Sequence, residues 1–308
     1  MTGQGPVGLG ERIAAAWRAR AGLGSCCRVL HGWGEGCPGL EIDRYGDAAV
    51  VEHSPELAPL ALSELLAALD DCHRFDAVVA RPRGFGAAPV ALRGSLERRV
   101  VVEDGVRFSI DLARAGNPGL YLDARPARGW IRAHSAGRRV LNLFAFSGSL
   151  GVAAALGGAR SVTHVDSHPG ALDWCRHNSE LNGIAVDRRD LARMNIYQHL
   201  RRAQAGRQHY DAILLDPPPG PAEPRPKDRT PGQRGVAALA PLCARMLAPG
   251  GWLLCFFHHD RRPREEIEAE IAAAAPLEVL WQGGAGADFP EPDPARALRV
   301  TAFVKIGS

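Results

Sequence analysis

Residues 140–166 read VLNLFAFSGSLGVAAALGGARSVTHVD. Val140–Phe144 is nearly all apolar, as a strand buried on both faces requires. It runs into Ala145-Phe146-Ser147-Gly148-Ser149, a short turn rich in small residues, and then into a helix expected over 149–156. A second apolar run, Val162–Val165, ends in Asp166. Strand, tight turn, helix and strand in this order make a βαβ unit, whose strands lie parallel. The pattern continues outward. Ala212–Leu215 and Trp252–Phe257 are further short apolar runs, helices are expected over 169–182, 195–204 and 234–248, and Leu298–Val304 supplies a closing strand. The fold class expected is α/β, a doubly wound parallel sheet. The segment PPPGPAEPRPKDRTPG at 217–232 can be neither a central strand nor a helix, and a loop of this length in a compact domain is more often functional than idle.

Ahead of this sheet the texture differs. A helix is expected over 9–21, because Ile13, Ala16, Trp17 and Ala21 share one face. CRVLHGWGEGCPGLEIDRYGDAAVVEH (27–53) reads as short strands with a turn at Tyr45-Gly46-Asp47. A helix at 55–71 and a strand at Ala77–Ala80 follow, then a hairpin turning at Asp104-Gly105. At roughly 100–200 residues per domain, 308 residues make two. The expected division is a small α+β domain over 1–115 and an α/β domain over 116–308. With 46% apolar residues, disorder is excluded. The formal charge is +3, and all of the 37 basic residues except Lys227 and Lys305 are arginine, a bias that suits bidentate contacts to phosphate or carboxylate and equally suits a GC-rich coding background. Seven scattered cysteines with no CxxC pair read as reduced thiols and give no metal-ligand set. No signal-like N-terminus and no run of 18 apolar residues is present, so a cytoplasmic location is expected. Oligomeric state is left open, a dimer included.

In a doubly wound fold the ligand sits at the carboxyl ends of the strands. Asp166, at a strand end about twenty residues after the first turn, is placed to accept hydrogen bonds from ribose hydroxyls; a helix cap is the plain alternative. A dinucleotide site wants G-x-G-x-x-G, and only Gly148 and Gly151 are here; a P-loop wants G-x-x-x-x-G-K-[ST], and no lysine is near. A nucleoside without phosphates, such as S-adenosyl-L-methionine, fits better. Ala212–Leu215 ends in Asp216-Pro217-Pro218-Pro219, whose fixed φ angles make a rigid rim beside that ligand. Strand termination alone is the alternative reading.

VLNLFAFSG, THVDSHPGALDWCRHNSELNG and LLDPPP, preceded by GLYLDAR and CRVLHGWGEGCPGLEIDRYGD, resemble the class I S-adenosylmethionine-dependent methyltransferase family that includes the bacterial large-subunit ribosomal RNA (cytosine-5) methyltransferases. The resemblance spans roughly residues 26–304 and implies a Rossmann-like methyltransferase sheet preceded by a small α+β domain. It further implies that Asn142, Phe144, Phe146, Ser147 and Gly148 form the methionine-side turn, with Asp166 and Ser167 at the ribose and Asn195 at the adenine amino group. Tyr121, Asp123 and Arg125 would lie over the cofactor, and Asp216, Pro217 and Pro218 would form the target-side rim. Helix capping is the alternative for Asp123, and an ordinary polar helix start for Asn195.

Two departures from the family pattern stand out. Members that methylate carbon 5 attack carbon 6 with a cysteine after the fifth strand. Here that segment is Cys255-Phe256-Phe257-His258-His259, with His258 in the cysteine position and Cys255 inside the expected strand. His258 is therefore taken as a catalytic candidate, an imidazole that titrates near neutral pH, with strand ending as the alternative. Only 25 residues precede Cys26, too few for the RNA-binding module that members carry there. RNA binding is then expected from arginine-rich loops, Arg225, Lys227, Arg229 and Arg234 beside Asp216, and Arg261, Arg262 and Arg264 after His259; a solvated loop is the alternative. The expected function is methylation of a ribosomal RNA base. A small-molecule methyltransferase, a non-catalytic cofactor-binding protein and a nucleotide-dependent oxidoreductase are the competing classes.

Overall fold

The structure, a computed structural model, describes residues 8–56, 59–84, 88–218, 235–258 and 262–307. Two compact units divide the chain: Met1–Leu122 with Gly286–Pro292, and Asp123–Ala285 with Asp293–Ser308. The first break falls after Leu122 rather than after 115. The physical reason is that 112–122 is tied to the first unit: the Tyr45 hydroxyl donates to the Leu120 carbonyl at 3.0 Å, and the Asp111 N–H to that of Pro118 at 2.7 Å. Among the described residues no helix is long and apolar enough to cross a membrane.

In the first unit, α1 (Leu9–Ala19) is followed by β1 (Cys26–His31), β2 (Leu40–Tyr45), β3 (Ala48–His53), α2 (Pro59–Cys72), β4 (Ala77–Pro82) and β5 (Val90–Arg93). The strands pair in sequence order as one sheet. All neighbours are antiparallel except β3 and β4, which are parallel because α2 carries the chain back across the sheet. Ile13 and Ala16 of α1 and Leu65 and Leu69 of α2 bury one sheet face with Ile42, Val51 and Val78. Arg28 bridges Asp43 at 2.7 Å and Glu41 at 2.8 Å on neighbouring strands. The hairpin of β6 (Arg98–Glu103) and β7 (Val106–Asp111) turns where the sequence predicts, with Asp104 and Gly105 both left-handed, the backbone a tight two-residue hairpin demands.

The second unit is a three-layer α/β sandwich. Its elements are α3 (Arg125–His134), β8 (Arg139–Leu143), α4 (Ser149–Leu156), β9 (Ser161–Asp166), α5 (Pro169–Leu181), β10 (Leu191–Arg193), α6 (Ile196–Ala205), β11 (Tyr210–Leu215), α7 (Val236–Ala244), β12 (Leu247–Phe257), α8 (Arg264–Ala274), β13 (Leu277–Gly284) and β14 (Arg299–Lys305). The strand order is β10-β9-β8-β11-β12-β14-β13; the first five are parallel, and β14 is antiparallel to both neighbours. The alternation of side chains explains why the central strands read as unbroken apolar runs. Leu141, Leu143, Ile213, Leu215 and Leu253 pack against α6, α7 and α8, while Val140, Ala212, Leu214, Trp252 and Leu254 pack against α3 and α4. This is the expected doubly wound architecture. Helix α7 ends earlier than its predicted 248, because β12 begins at Leu247 and reaches Gly250 with positive φ.

A polar pair lies inside this core. His164 of β9 and Asn142 of β8 are buried, and the Asn142 amide nitrogen is 3.2 Å from the His164 Nδ1. Burial pulls the His164 pKa from 6.5 down to about 4. A folded-state pKa below the unfolded one means the unfolded chain binds the proton first, so stability is full above pH 6.5 and is lost as pH falls towards 4. Across that window the wild type should lose about 1.4 kcal/mol per pH unit more than a His164→Gln variant, which keeps an acceptor for Asn142 but cannot titrate. Urea unfolding at pH 7 and pH 5 measures the difference; parallel stability curves would show that His164 does not titrate as stated.

Candidate active site

The register of the sheet brings the site together. Leu143 of β8 pairs with both Val165 of β9 and Leu215 of β11, and Leu215 pairs with Cys255 of β12. The next residues, Phe144, Asp166 and Asp216, thus emerge side by side at the carboxyl ends of the strands, and His258 is the first residue after β12. Strand order reverses at β8, with β9 on one side and β11 on the other, the switch point where doubly wound folds bind ligands.

The turn after β8 is strained. Phe144, Phe146 and Gly148 have φ of 56°, 48° and 81°, so two bulky residues occupy left-handed backbone. Such conformations cost about 1–3 kcal/mol each and persist where the surroundings hold them, commonly at ligand sites. The holding groups are visible. Asp166 accepts the Phe146 N–H at 3.0 Å and the His168 N–H at 2.9 Å; Asn178 of α5 donates to the Ser147 carbonyl at 2.8 Å; and Cys175 Sγ lies 3.3 Å from the Phe146 carbonyl. Neither Asn178 nor Cys175 was singled out in the sequence, although both lie in the stretch DWCRHN that carries the resemblance. The Ser147 hydroxyl is buried in this turn with no hydrogen-bond partner among the described residues. A half-exposed carboxylate fixed by two N–H groups, beside a turn with an orphaned hydroxyl, fits a nucleoside carrying an amino-acid tail.

Beside it, His258 Nε2 meets Asp216 Oδ1 at 2.6 Å, each side chain 21% exposed. Burial works against a charged imidazole, but the hydrogen bond to Asp216, the Asp216 charge and the Asp123 charge outweigh it, so the His258 pKa is held above its ordinary value. A raised folded-state pKa means the pair stabilises fully below pH 6.5 and fades as pH rises through the folded value. The stability gap between wild type and His258→Gln should therefore be wider at pH 6 than at pH 9. Equal gaps in urea melts at the two pH values would remove the charge from this account. Next to the pair is a cavity of about 240 Å³ lined by Pro217, Pro218, Phe256, Phe257, His258 and Arg262.

Other candidates separate. Asn142 points into the core against His164 rather than standing free in the turn. Asn195 caps α6, its side-chain oxygen accepting the Tyr197 N–H at 2.9 Å, so a cap is its first role and one lone pair of that oxygen remains. Ser167 is exposed, Asp123 lies in the short 3-10 turn ahead of α3, Arg125 opens α3, and Tyr121 is 44% exposed at the end of the first unit. Arg264 is spent on the carbonyls of Gly283 at 2.7 Å and Val300 at 3.3 Å, which removes it from the expected phosphate contacts. Arg262 pairs with Glu270 at 2.6 Å on the surface. Arg225, Lys227, Arg229, Arg234, His259 and Arg261 lie outside the described residues.

Residues 67–304 match the family model of S-adenosylmethionine-dependent methyltransferases. The chain belongs to that family. The resemblance read from the sequence thus holds at the level of family and cofactor. Among similar proteins, the ribosomal RNA large subunit methyltransferase I of Serratia proteamaculans is 31% identical over 258 residues, 80% of this chain and 64% of that protein. The protein of the same name from Klebsiella pneumoniae (strain 342) is 33% identical over 296 residues, 90% of this methyltransferase chain and 73% of the relative. The chain therefore spans about two thirds of the length of these relatives. A solved structure from Streptococcus mutans superposes with a TM-score of 0.84 at 21% identity, covering 97% of this chain and 83% of that one, and shares the fold.

Proposed function

We propose that this methyltransferase modifies a base of RNA, with large-subunit ribosomal RNA as its substrate. The likeness to relatives named as large-subunit ribosomal RNA methyltransferases carries the reading, and the arrangement at the strand ends supports it. S-adenosylmethionine supplies a methyl group on a positively charged sulfur. On this chain, the Phe144–Gly148 turn and the Ser147 hydroxyl hold the methionine side, Asp166 takes the ribose hydroxyls with the lone pairs left by its two backbone bonds, and Asn195 offers its remaining lone pair to the adenine. Asp216, Pro217 and Pro218 present the target. The arginines that follow Pro218 and His258 in the sequence, Arg264 apart, would meet phosphates, which position RNA without reading its sequence.

Transfer of labelled methyl from S-adenosylmethionine tests this directly, with purified ribosomal RNA, intact large subunits and a small-molecule extract as acceptors. Label is expected in RNA, and binding is expected to weaken steeply as salt rises, as phosphate contacts dictate. Label confined to the small-molecule fraction overturns the RNA reading.

A further inference from the structure

The cysteines bear on which atom receives the methyl. Carbon 5 of a pyrimidine becomes nucleophilic only after a thiolate adds to carbon 6, so a reachable thiolate is a chemical requirement of that reaction. All seven cysteines of the chain lie among the described residues, and the three in the second unit, Cys175, Cys243 and Cys255, are fully buried. Cys255 is inside β12, paired with Leu215 on one side and Thr301 on the other. Cys243, on α7, packs into the core, and Cys175 is engaged with the Phe146 carbonyl. Burial pushes all three thiols up, away from the thiolate form. The second unit thus presents no thiolate at the rim, and what stands there is the Asp216 carboxylate bonded to His258.

A carboxylate only accepts hydrogen bonds, so it selects a target that donates one. A base carbonyl oxygen has no hydrogen to give, and a carbon gives none of use; an amino or ring N–H does. We propose that the methyl acceptor is a nitrogen of the base that carries a hydrogen, methylated by direct displacement, with Asp216 accepting its N–H and His258 holding Asp216 in place. This rests on the RNA reading above. The nitrogen lone pair attacks the methyl carbon, the N–CH3 bond forms as the S–CH3 bond breaks, and the bonding pair stays on sulfur as S-adenosylhomocysteine leaves neutral. The proton that the nitrogen sheds passes to the Asp216 carboxylate and from there to water. His258 is a positioning residue: its charge is set by Asp216 at the end of β11 and Asp123 ahead of α3, and Arg262 and Glu270 line the same cavity.

Digestion of the methylated RNA to nucleosides, with mass spectrometry to locate the group, decides the matter. The expected product carries the label on nitrogen. The expected result with RNA containing 5-fluorocytidine is no protein–RNA adduct on a denaturing gel, since no thiol adds to the ring. Label on carbon 5, label on a ribose oxygen, or a trapped adduct overturns the proposal while leaving RNA as the substrate; no label in RNA at all overturns both. For His258, the His258→Gln variant keeps a donor for Asp216 but not the titration. Its kcat/KM should lose the limb that the wild type shows above neutral pH, with activity reduced about tenfold at pH 7. An unchanged pH profile overturns the positioning role.

Discussion

Replacing Asp216 with alanine is expected to lower methyl transfer about 10³-fold while leaving S-adenosylhomocysteine affinity within about threefold. Asp216 is the first residue past β11, at the sheet's switch point, and its carboxylate faces the His258 imidazole at 2.6 Å. Two things go with it: the acceptor for the target, and the partner that keeps His258 charged. Positioned acid–base groups contribute about 10²–10⁴-fold, which sets the scale. Affinity for the cofactor product should survive, because the groups assigned to it are Asp166, Asn195, Ser147 and the turn. Asp216→Asn keeps an acceptor oxygen without the charge and should recover part of the loss. Initial rates and calorimetric titration measure the two quantities. An Asp216→Ala enzyme within fivefold of wild type would remove this residue from the chemistry.

The second large effect is structural. Gly148→Val should destabilise the fold by about 4 kcal/mol and abolish cofactor binding. Gly148 has φ +81°, a conformation costly for any side chain and worst for a β-branched one. A Cβ there would also sit 2.9 Å from the Cys175 Cα and 3.0 Å from its Cβ, so backbone of α5 must move. Moving α5 also drags Asn178 away from the Ser147 carbonyl, and the strained turn loses the bond that holds it. Gly183→Ala is the control: φ is +71° but nothing lies within 4 Å of the new Cβ, so strain acts alone, at about 1 kcal/mol. Equal losses in the two variants, read from urea melts, would show that the approach of α5 to the turn carries no weight.

Legibility in the sequence followed burial. β8, β9, β11 and β12 announce themselves because both faces are covered, which leaves four short apolar runs ending in the residues that matter. β13 does not, since Glu278, Val279 and Leu280 are exposed along a sheet edge and break the pattern. β10 is three residues long, and α3, with Arg125, Arg128 and Arg132, looks polar although Trp130 and Ile131 are buried. At the site, residue types at strand ends pointed to Asp166, Asp216 and His258. Their partners were not legible: that Asp166 holds two N–H groups, that Asn142 turns inward to His164, and that His258 reaches Asp216 depend on registers between strands far apart in sequence. The identity of the 286–292 segment as part of the first unit was equally hidden, since nothing local in GADFPEP says where it docks.

That segment has a consequence for how the chain is born. Buried Arg20 donates to the Asp288 carbonyl at 3.1 Å, and the Arg28 N–H to the Asp288 carboxylate at 3.0 Å; the first of these joins residues 268 apart. Phe289 lies against the Arg28 guanidinium and the His31 ring. At about 5–20 residues per second of synthesis, Arg20, already paired with Glu35, waits on the order of tens of seconds for the last of its acceptors. A nascent chain stalled anywhere between residues 122 and 286 holds every strand of the small sheet but lacks the piece that completes the contacts of Arg20 and Arg28. The unit begun first on the ribosome is complete only when the chain is almost finished.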